Sequence, residues 1–155
     1  MIKPATFGMG CFWKPDILFM KTPSVIETEV GFMGGEKENP TYKQVCYENT
    51  GHAEVVHIKY DPDKVSYEEL LKIFWENHDP TQVDRQGPDI GEQYRTVVFY
   101  YDGKQKELAE KSKKELELSG KYKQPIATHI VPAAKFYKAE EYHQKYLIKN
   151  TGAVC

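Results

Sequence analysis

Gly8-Met9-Gly10-Cys11-Phe12-Trp13-Lys14-Pro15-Asp16 joins two unlike stretches of chain, and the turn it makes between them decides the fold. Residues 2–7, just before it, mix β-branched, aromatic and small side chains as a short strand does, and the two glycines let the backbone turn sharply afterwards. Beyond it, Ile17, Leu18 and Phe19 read as the buried side of a helix. Pro15 helps place the helix start, because the first four amides of a helix have no internal partner and proline there forfeits no hydrogen bond. Cys11 is therefore expected at a helix N-terminus. Unpaired amides and the helix dipole favour an anion at that end, which lowers a thiol below its free pKa of about 8.5, and Lys14 acts in the same direction. The plain reading of such a cysteine is a small buried hydrophobe. Two large aromatics directly after it, on a glycine-flanked turn, instead offer a thiolate beside an apolar wall, so Cys11 is a candidate nucleophile.

At 155 residues the chain suits one domain, which can bury roughly 70% of its unfolded surface without disulfide staples. Its formal charge of -2 provides no field to hold nucleic acid or an anionic membrane. No long apolar run occurs, and Met1-Ile2-Lys3-Pro4 does not open a signal peptide, so a cytoplasmic protein with no membrane partner is expected. Cys11, Cys46 and Cys155 form neither a CxxC pair nor a spaced zinc set, and their odd number fits a reduced compartment. His52, His57, His78, His129 and His143 are scattered, with no HExxH, so no metal is expected. Gly8-x-Gly10 does not complete GxGxxG, since Trp13 stands where the third glycine would be, and a dinucleotide site is not expected. The 11 tyrosines exceed what a core of this size needs, which leaves some to line a surface site.

Further along, residues 25–32 alternate as a strand, and Gly31, Gly34 and Gly35 lead into a loop through Asn39-Pro40-Thr41-Tyr42, a candidate site wall. Residues 53–60 read as a strand whose alternation puts Glu54 on one face with Val56, Ile58 and Tyr60, an acid among apolar neighbours. Ser66-Tyr67-Glu68-Glu69 is a capping box ahead of Leu70, Leu71, Phe74 and Trp75, spaced for one helix face. Residues 78–94 are polar and aperiodic, too long for an ordinary connection, and read as a functional loop. A strand over 95–101, a turn at Asp102-Gly103, a charged helix over 104–118, a strand over 126–131 and a helix over 139–149 follow. With no repeat or change of composition, the expectation is a single catalytic domain over 1–155 with a mobile tail at about 149–155. The irregular alternation predicts an α+β two-layer sandwich, a mixed β-sheet with helices packed on it.

Five motifs, in order, resemble peptide methionine sulfoxide reductase A. They are Gly10-Cys11-Phe12-Trp13, Asn39-Pro40-Thr41-Tyr42-x-x-Val45-Cys46, Thr50-Gly51-His52-Ala53-Glu54, Phe74-Trp75-Glu76-Asn77-His78-Asp79-Pro80-Thr81-Gln82, and Arg85-Gln86-Gly87-x-Asp89-x-Gly91-x-Gln93-Tyr94-Arg95. The likeness closes on Ala139-Glu140-x-Tyr142-His143-Gln144-x-Tyr146. It departs at Lys14, where the family commonly has glycine, and at Pro15-Asp16-Ile17, where the usual segment carries acidic residues.

The resemblance implies a ferredoxin-like core and reduction of methionine-S-sulfoxide, free or in proteins, to methionine, a repair of oxidised proteins. Such a substrate presents an electrophilic sulfur, an oxygen that leaves only if protonated, and a methyl group. It calls for a thiolate, an acid, hydrogen-bond donors and an apolar slot. Cys11 supplies the thiolate. By the resemblance Phe12 and Trp13 form the slot and Glu54 is the acid, its pKa raised from about 4.3 by burial against aromatics. By the same likeness Tyr42 and Tyr94 donate to the sulfoxide oxygen, and Asp89 is a further polar residue of the site. No bound cofactor is implied, and the protein is expected to be a monomer.

The reductant implied by the resemblance is thioredoxin, or dithiothreitol in vitro. Attack by Cys11 leaves a sulfenic acid, which a second thiol can convert to a disulfide. Cys46 and Cys155 are the candidates, Cys46 having packing as its simplest role. The seven residues beyond Ile148 span at most about 23–25 Å, and the family's C-terminal cysteine implies a Cys11–Cys155 disulfide. The alternative is a Cys-His acyltransferase or hydrolase with His52 as base, although nothing in the sequence asks for an oxyanion hole or an ester or amide substrate. A noncatalytic binding module would leave Cys11 and Glu54 without a purpose.

Overall fold

The computed structural model describes residues 1–150. In chain order its elements are β1 (Lys3–Met9), α1 (Trp13–Met20), β2 (Val25–Met33), α2 (Tyr42–Tyr47), β3 (Ala53–Tyr60), α3 (Tyr67–Glu76), β4 (Arg85–Gln86), β5 (Asp89–Ile90), β6 (Thr96–Tyr100), α4 (Gly103–Leu118), β7 (His129–Pro132), β8 (Tyr137–Lys138) and α5 (Tyr146–Lys149), with 3-10 turns at Glu92–Tyr94 and Glu141–His143. Six strands form one sheet in the order β7-β6-β1-β3-β2-β8. Neighbours run antiparallel except β6 and β7, which are parallel, so the sheet is mixed.

Strand alternation sorts the side chains into two layers. Phe7 and Met9 of β1, Val56 and Ile58 of β3 and Val98 of β6 meet Phe19 of α1, Leu70 and Phe74 of α3 and Ala109 of α4 in one buried cluster. Met33, Ala53, Val55, Val97 and Phe99 form a second cluster, against which Ala133 and Phe136 pack. This is the expected α+β arrangement of a mixed sheet with helices packed on it. Cover on both faces also explains why Ala53, Glu54, Val55 and Val56 are all buried, although alternation alone suggests one wet face.

Local chemistry starts the helices. Ser66 Oγ accepts the Glu69 amide at the head of α3, and Asp102 Oδ1 accepts the Gln105 amide at the head of α4. The expected turn at Asp102-Gly103 is therefore the cap and first residue of α4. The expected loop through Tyr42 contains α2, opened by a reciprocal capping box. Gln44 N donates to Thr41 Oγ1 (3.1 Å) and Thr41 N to Gln44 Oε1 (3.0 Å). The polar stretch 78–94 holds the β4–β5 hairpin and a 3-10 turn, and the strand expected over 126–131 runs instead over His129–Pro132.

The helix expected over 139–149 does not form. Tyr137–Lys138 pairs with β2, and only Tyr146–Lys149 is α-helical. Two tertiary attachments break the helical run. Gln144 bonds both backbone groups of Val30 through its side-chain amide, and Lys145, at φ 55°, sends its backbone amide and its ammonium to Asp16. Asp16 is fully buried and also accepts the Thr28 hydroxyl at 2.7 Å. Three residues before Phe19 on the same helix, it is the polar anchor of α1 rather than a solvent residue.

Candidate active site

Cys11 lies in the turn between β1 and α1, with Phe12 as the residue before the first helical position. Gly10 makes this turn at φ +94°, where an L side chain is strained, and a Cβ there would meet the Gln86 side chain at 2.8 Å. Gln86 is itself pinned, its amide giving to Asp79 O and accepting from Asp79 N, each at 2.9 Å. The hairpin from the polar stretch is thus fastened over the cysteine turn. Between them is a cleft of about 230 Å³ lined by Met9, Cys11, Lys14, Leu18 and Asp89 among others. A wider groove between α3 and α4, about 390 Å³, shares none of these residues and contains no cysteine.

Glu54 is 1% exposed, near the start of β3 and two residues before Val56, whose antiparallel partner on β1 is Phe7. Its Oε1 accepts the amide of Phe12 at 3.2 Å, so the carboxyl is tied to the residue next to Cys11. The Tyr42 and Tyr94 hydroxyls both neighbour the Cys46 thiol and interact with it. Each phenol is pushed well above its ordinary value of 10. For Tyr42 the causes are burial, then the Cys46 thiol and, at the high pH where a phenol would ionise, Glu54; for Tyr94 they are burial, then Glu54, Cys46, Asp89 and Cys11. Both therefore remain neutral donors at any physiological pH. Burial likewise raises the Cys46 thiol, with Glu54 and Glu140 opposing its ionisation, so it is no rival to Cys11 as a nucleophile. Burial also raises Asp89.

The apolar side is a stack of rings. Phe12 packs on Phe32 (5.7 Å between centroids), Tyr42 (6.2 Å) and His143 (5.3 Å). Trp13 lies flat against Tyr146 at 3.7 Å and donates its indole N–H to His143 Nδ1 at 3.0 Å. Glu140 accepts the Tyr42 amide with both oxygens, at 3.2 and 3.3 Å.

Cys11, Phe12, Trp13, Tyr42, Glu54, Asp89 and Tyr94 therefore converge, as their motifs suggest. Cys155 lies outside the described residues. His52 is elsewhere engaged, since its Nδ1 accepts from Gly35 N and its Nε2 donates to Lys37 O, leaving no nitrogen to act as base for a thiol. Cys46 and His143 belong to the site, and the sequence reading assigned neither to it. Cys46 is one helical turn after Tyr42 and was legible only with α2, while His143 reaches Trp13 from 130 positions away. Among the described residues, no three His, Cys, Asp or Glu side chains come together as a metal would require, and no helix is long and apolar enough to cross a membrane.

The profile of the family described as peptide methionine sulfoxide reductase matches residues 3–155. Peptide methionine sulfoxide reductase MsrA of Methanoculleus marisnigri is 54% identical over 154 residues, covering 99% of this chain and 94% of its own. Reduced Mxr1 of Saccharomyces cerevisiae superposes with a TM-score of 0.93 at 35% identity, covering 99% of this chain and 88% of its own. Mxr1 in complex with Trx2 superposes at 0.66 with 24% identity, covering 94% of this chain and 84% of its own.

Proposed function

The chain belongs to the peptide methionine sulfoxide reductase family and reduces methionine sulfoxide, and from that premise we propose how its residues divide the work. The Cys11 thiolate attacks the sulfoxide sulfur. Glu54, whose burial favours the neutral acid, gives its proton to the oxygen, while Tyr42 and Tyr94 donate hydrogen bonds to it as charge builds. The sulfur–sulfur bond made by the attack then breaks as the protonated oxygen passes from the substrate sulfur to Cys11, so that methionine leaves and Cys11 is left as a sulfenic acid. Phe12 and Trp13 receive the methyl group by burial and dispersion, and Asp89 adds a polar group to the cleft that Cys11 lines.

The observation that carries this reading is the hydrogen bond from Phe12 N to Glu54 Oε1, which sets the acid one residue from the nucleophile at the foot of the aromatic stack. Cys155 then attacks the sulfenic sulfur, expelling water and forming a Cys11–Cys155 disulfide, which a thioredoxin dithiol reduces. The complex of yeast Mxr1 with Trx2 supports that reductant class. The substrate is the S epimer at sulfur, in peptides or as the free amino acid. The protein acts as a single domain and a monomer in the cytoplasm, with no bound cofactor.

The test is a resolved epimer pair. Each epimer is incubated with protein and dithiothreitol, and methionine is followed by chromatography. Consumption of the S epimer alone is expected, whereas equal consumption of both would overturn the stereochemical assignment. Mapping disulfides after one equivalent of sulfoxide should find Cys11 joined to Cys155, and a Cys11–Cys46 link would overturn that step.

A further inference from the structure

His143 is 1% exposed and enclosed by rings: Tyr142 at 4.1 Å, Tyr42 at 4.2 Å, Phe12 at 5.3 Å, Trp13 at 6.0 Å and Tyr146 at 6.4 Å between centroids. An indole N–H is only a donor, so the 3.0 Å contact from Trp13 makes His143 Nδ1 the acceptor and leaves the ring proton on Nε2. Nε2 has no hydrogen-bond partner among the described residues. This tautomer is the form that fits. An imidazolium would carry a second proton on Nδ1, directed at the indole N–H, and the hydrogen bond that holds the edge of Trp13 would be lost.

We propose that His143 is a positioning residue of the sulfoxide pocket, holding Trp13 in place as a methyl-binding wall only while its own ring is uncharged. This rests on the reading of Phe12 and Trp13 as the methyl slot. The groups that face His143 are few. Trp13 approaches from α1 and Tyr42 from α2, while Glu140, Tyr142 and Tyr146 come from its own segment. Burial lowers the His143 pKa and the carboxylate of Glu140 works against that, with burial the larger influence. The pocket is thus intact at neutral pH and loosens in acid.

Two readouts separate positioning from plain packing. The chain has two tryptophans, so the indole region of a nitrogen-15 spectrum contains two side-chain resonances. Trp75, which donates to Ser112 Oγ at 2.9 Å, serves as the internal control. On lowering the pH from about 7 to about 4.5, the Trp13 resonance should shift with a midpoint below about 6.5 while that of Trp75 does not follow it. In single turnovers the half-saturating sulfoxide concentration should rise about five- to tenfold with the same midpoint, the worth of one neutral hydrogen bond, while the limiting rate changes far less. His143→Phe should show the raised half-saturation already at neutral pH and no further pH dependence. His143→Asn, whose Oδ1 can occupy the Nδ1 position, should recover most of the affinity and also lack the pH dependence. A Trp13 resonance indifferent to pH in the parent protein overturns the proposal whether or not the variants fold, and so does a Phe variant with parental affinity or an Asn variant no better than Phe. A parent that reduces no sulfoxide would instead strike at the functional reading, and the Trp13 titration would still be read independently.

Discussion

The pocket beside Cys11 has a polar wall and an apolar wall, and the two are held in place by different means. Glu54 stands on β3, a strand paired on both sides, and Tyr94 in the 3-10 turn that leads into β6. The apolar wall begins with Phe12 and Trp13 but is backed by His143 and Tyr146, on a segment attached largely through side chains: Gln144 to Val30, Lys145 to Asp16, His143 to Trp13. Proton transfer tolerates little misplacement, and its acid is on the rigid sheet. Binding a methyl group tolerates more, and its wall depends on a few replaceable bonds.

The largest effect should come from the polar wall. Glu54→Gln keeps the shape and can still accept the Phe12 amide, yet it cannot deliver a proton, so the single-turnover rate should fall by about 10²- to 10⁴-fold. Folding and half-saturation should change little. A parental rate would remove Glu54 from the chemistry and erase the distinction between the walls.

Acid should act on the two sides separately. His78, which lines the Cys11 cleft, donates from Nδ1 to Phe74 O (2.6 Å) and accepts the Thr96 hydroxyl at Nε2 (2.7 Å), and burial lowers its pKa to about 4. The unfolded chain takes up this proton near pH 6.5 and the folded one only near 4. Its contribution is therefore complete above about 6.5, declines as the pH falls from there to about 4, and amounts to roughly 3 kcal/mol. Denaturant melts across that range should show the decline, and His78→Gln should flatten it. If instead His143→Phe flattened the stability curve while His78→Gln did not, the assignment of stability to the cleft side would fail.

Next in size is the anchor of the apolar wall. Asp16→Asn turns one acceptor of the buried cluster into a donor, set against either the Lys145 amide or the Thr28 hydroxyl and Lys145 ammonium. With the Lys145 side chain partly in water, the loss should be about 2 kcal/mol rather than the full cost of breaking a buried pair. Melts report the stability, and single turnovers should show weaker half-saturation with a limiting rate close to parental. An equal drop in the limiting rate would mean that the walls move together.

These contrasts also mark what could be read from the residues alone. The strand over 53–60 matches its expected ends, and α3 follows from its Ser66 cap, because in both elements the local pattern and the tertiary packing agree. The return bond of the expected capping box, from Ser66 N to Glu69, is not made. The segment 139–149 failed for the opposite reason. Ala139, Tyr142, His143 and Tyr146 fall at helical spacing, yet Gln144 and Lys145 spend their hydrogen bonds on β2 and α1, and long-range bonds outweighed the local period. The site residues carried by motifs, Cys11, Glu54, Tyr42, Tyr94 and Asp89, were legible. His143 stands in the closing motif, but its role was not legible, since nothing near it in sequence announces an indole donor at the other end of the chain.

The smallest effect should be found in the two phenols, and it tests how the polar wall is wired. Tyr42 and Tyr94 are both held neutral beside the Cys46 thiol, a weak partner, so each hydroxyl can turn toward a bound oxygen. Tyr42→Phe or Tyr94→Phe alone should therefore slow single turnover by only about tenfold or less, below the usual cost of deleting an oxyanion donor, because the second phenol remains. The double variant should be slower than the product of the two single effects, since it leaves the oxygen with no phenol at all. Cys46→Ala should sharpen the point, as it removes the neighbouring thiol from both hydroxyls without touching a phenol and should leave the rate within about threefold of parental. Strictly multiplicative tyrosine effects would show that the two phenols act at separate steps or on separate atoms, and the shared-donor arrangement of the polar wall would then be wrong.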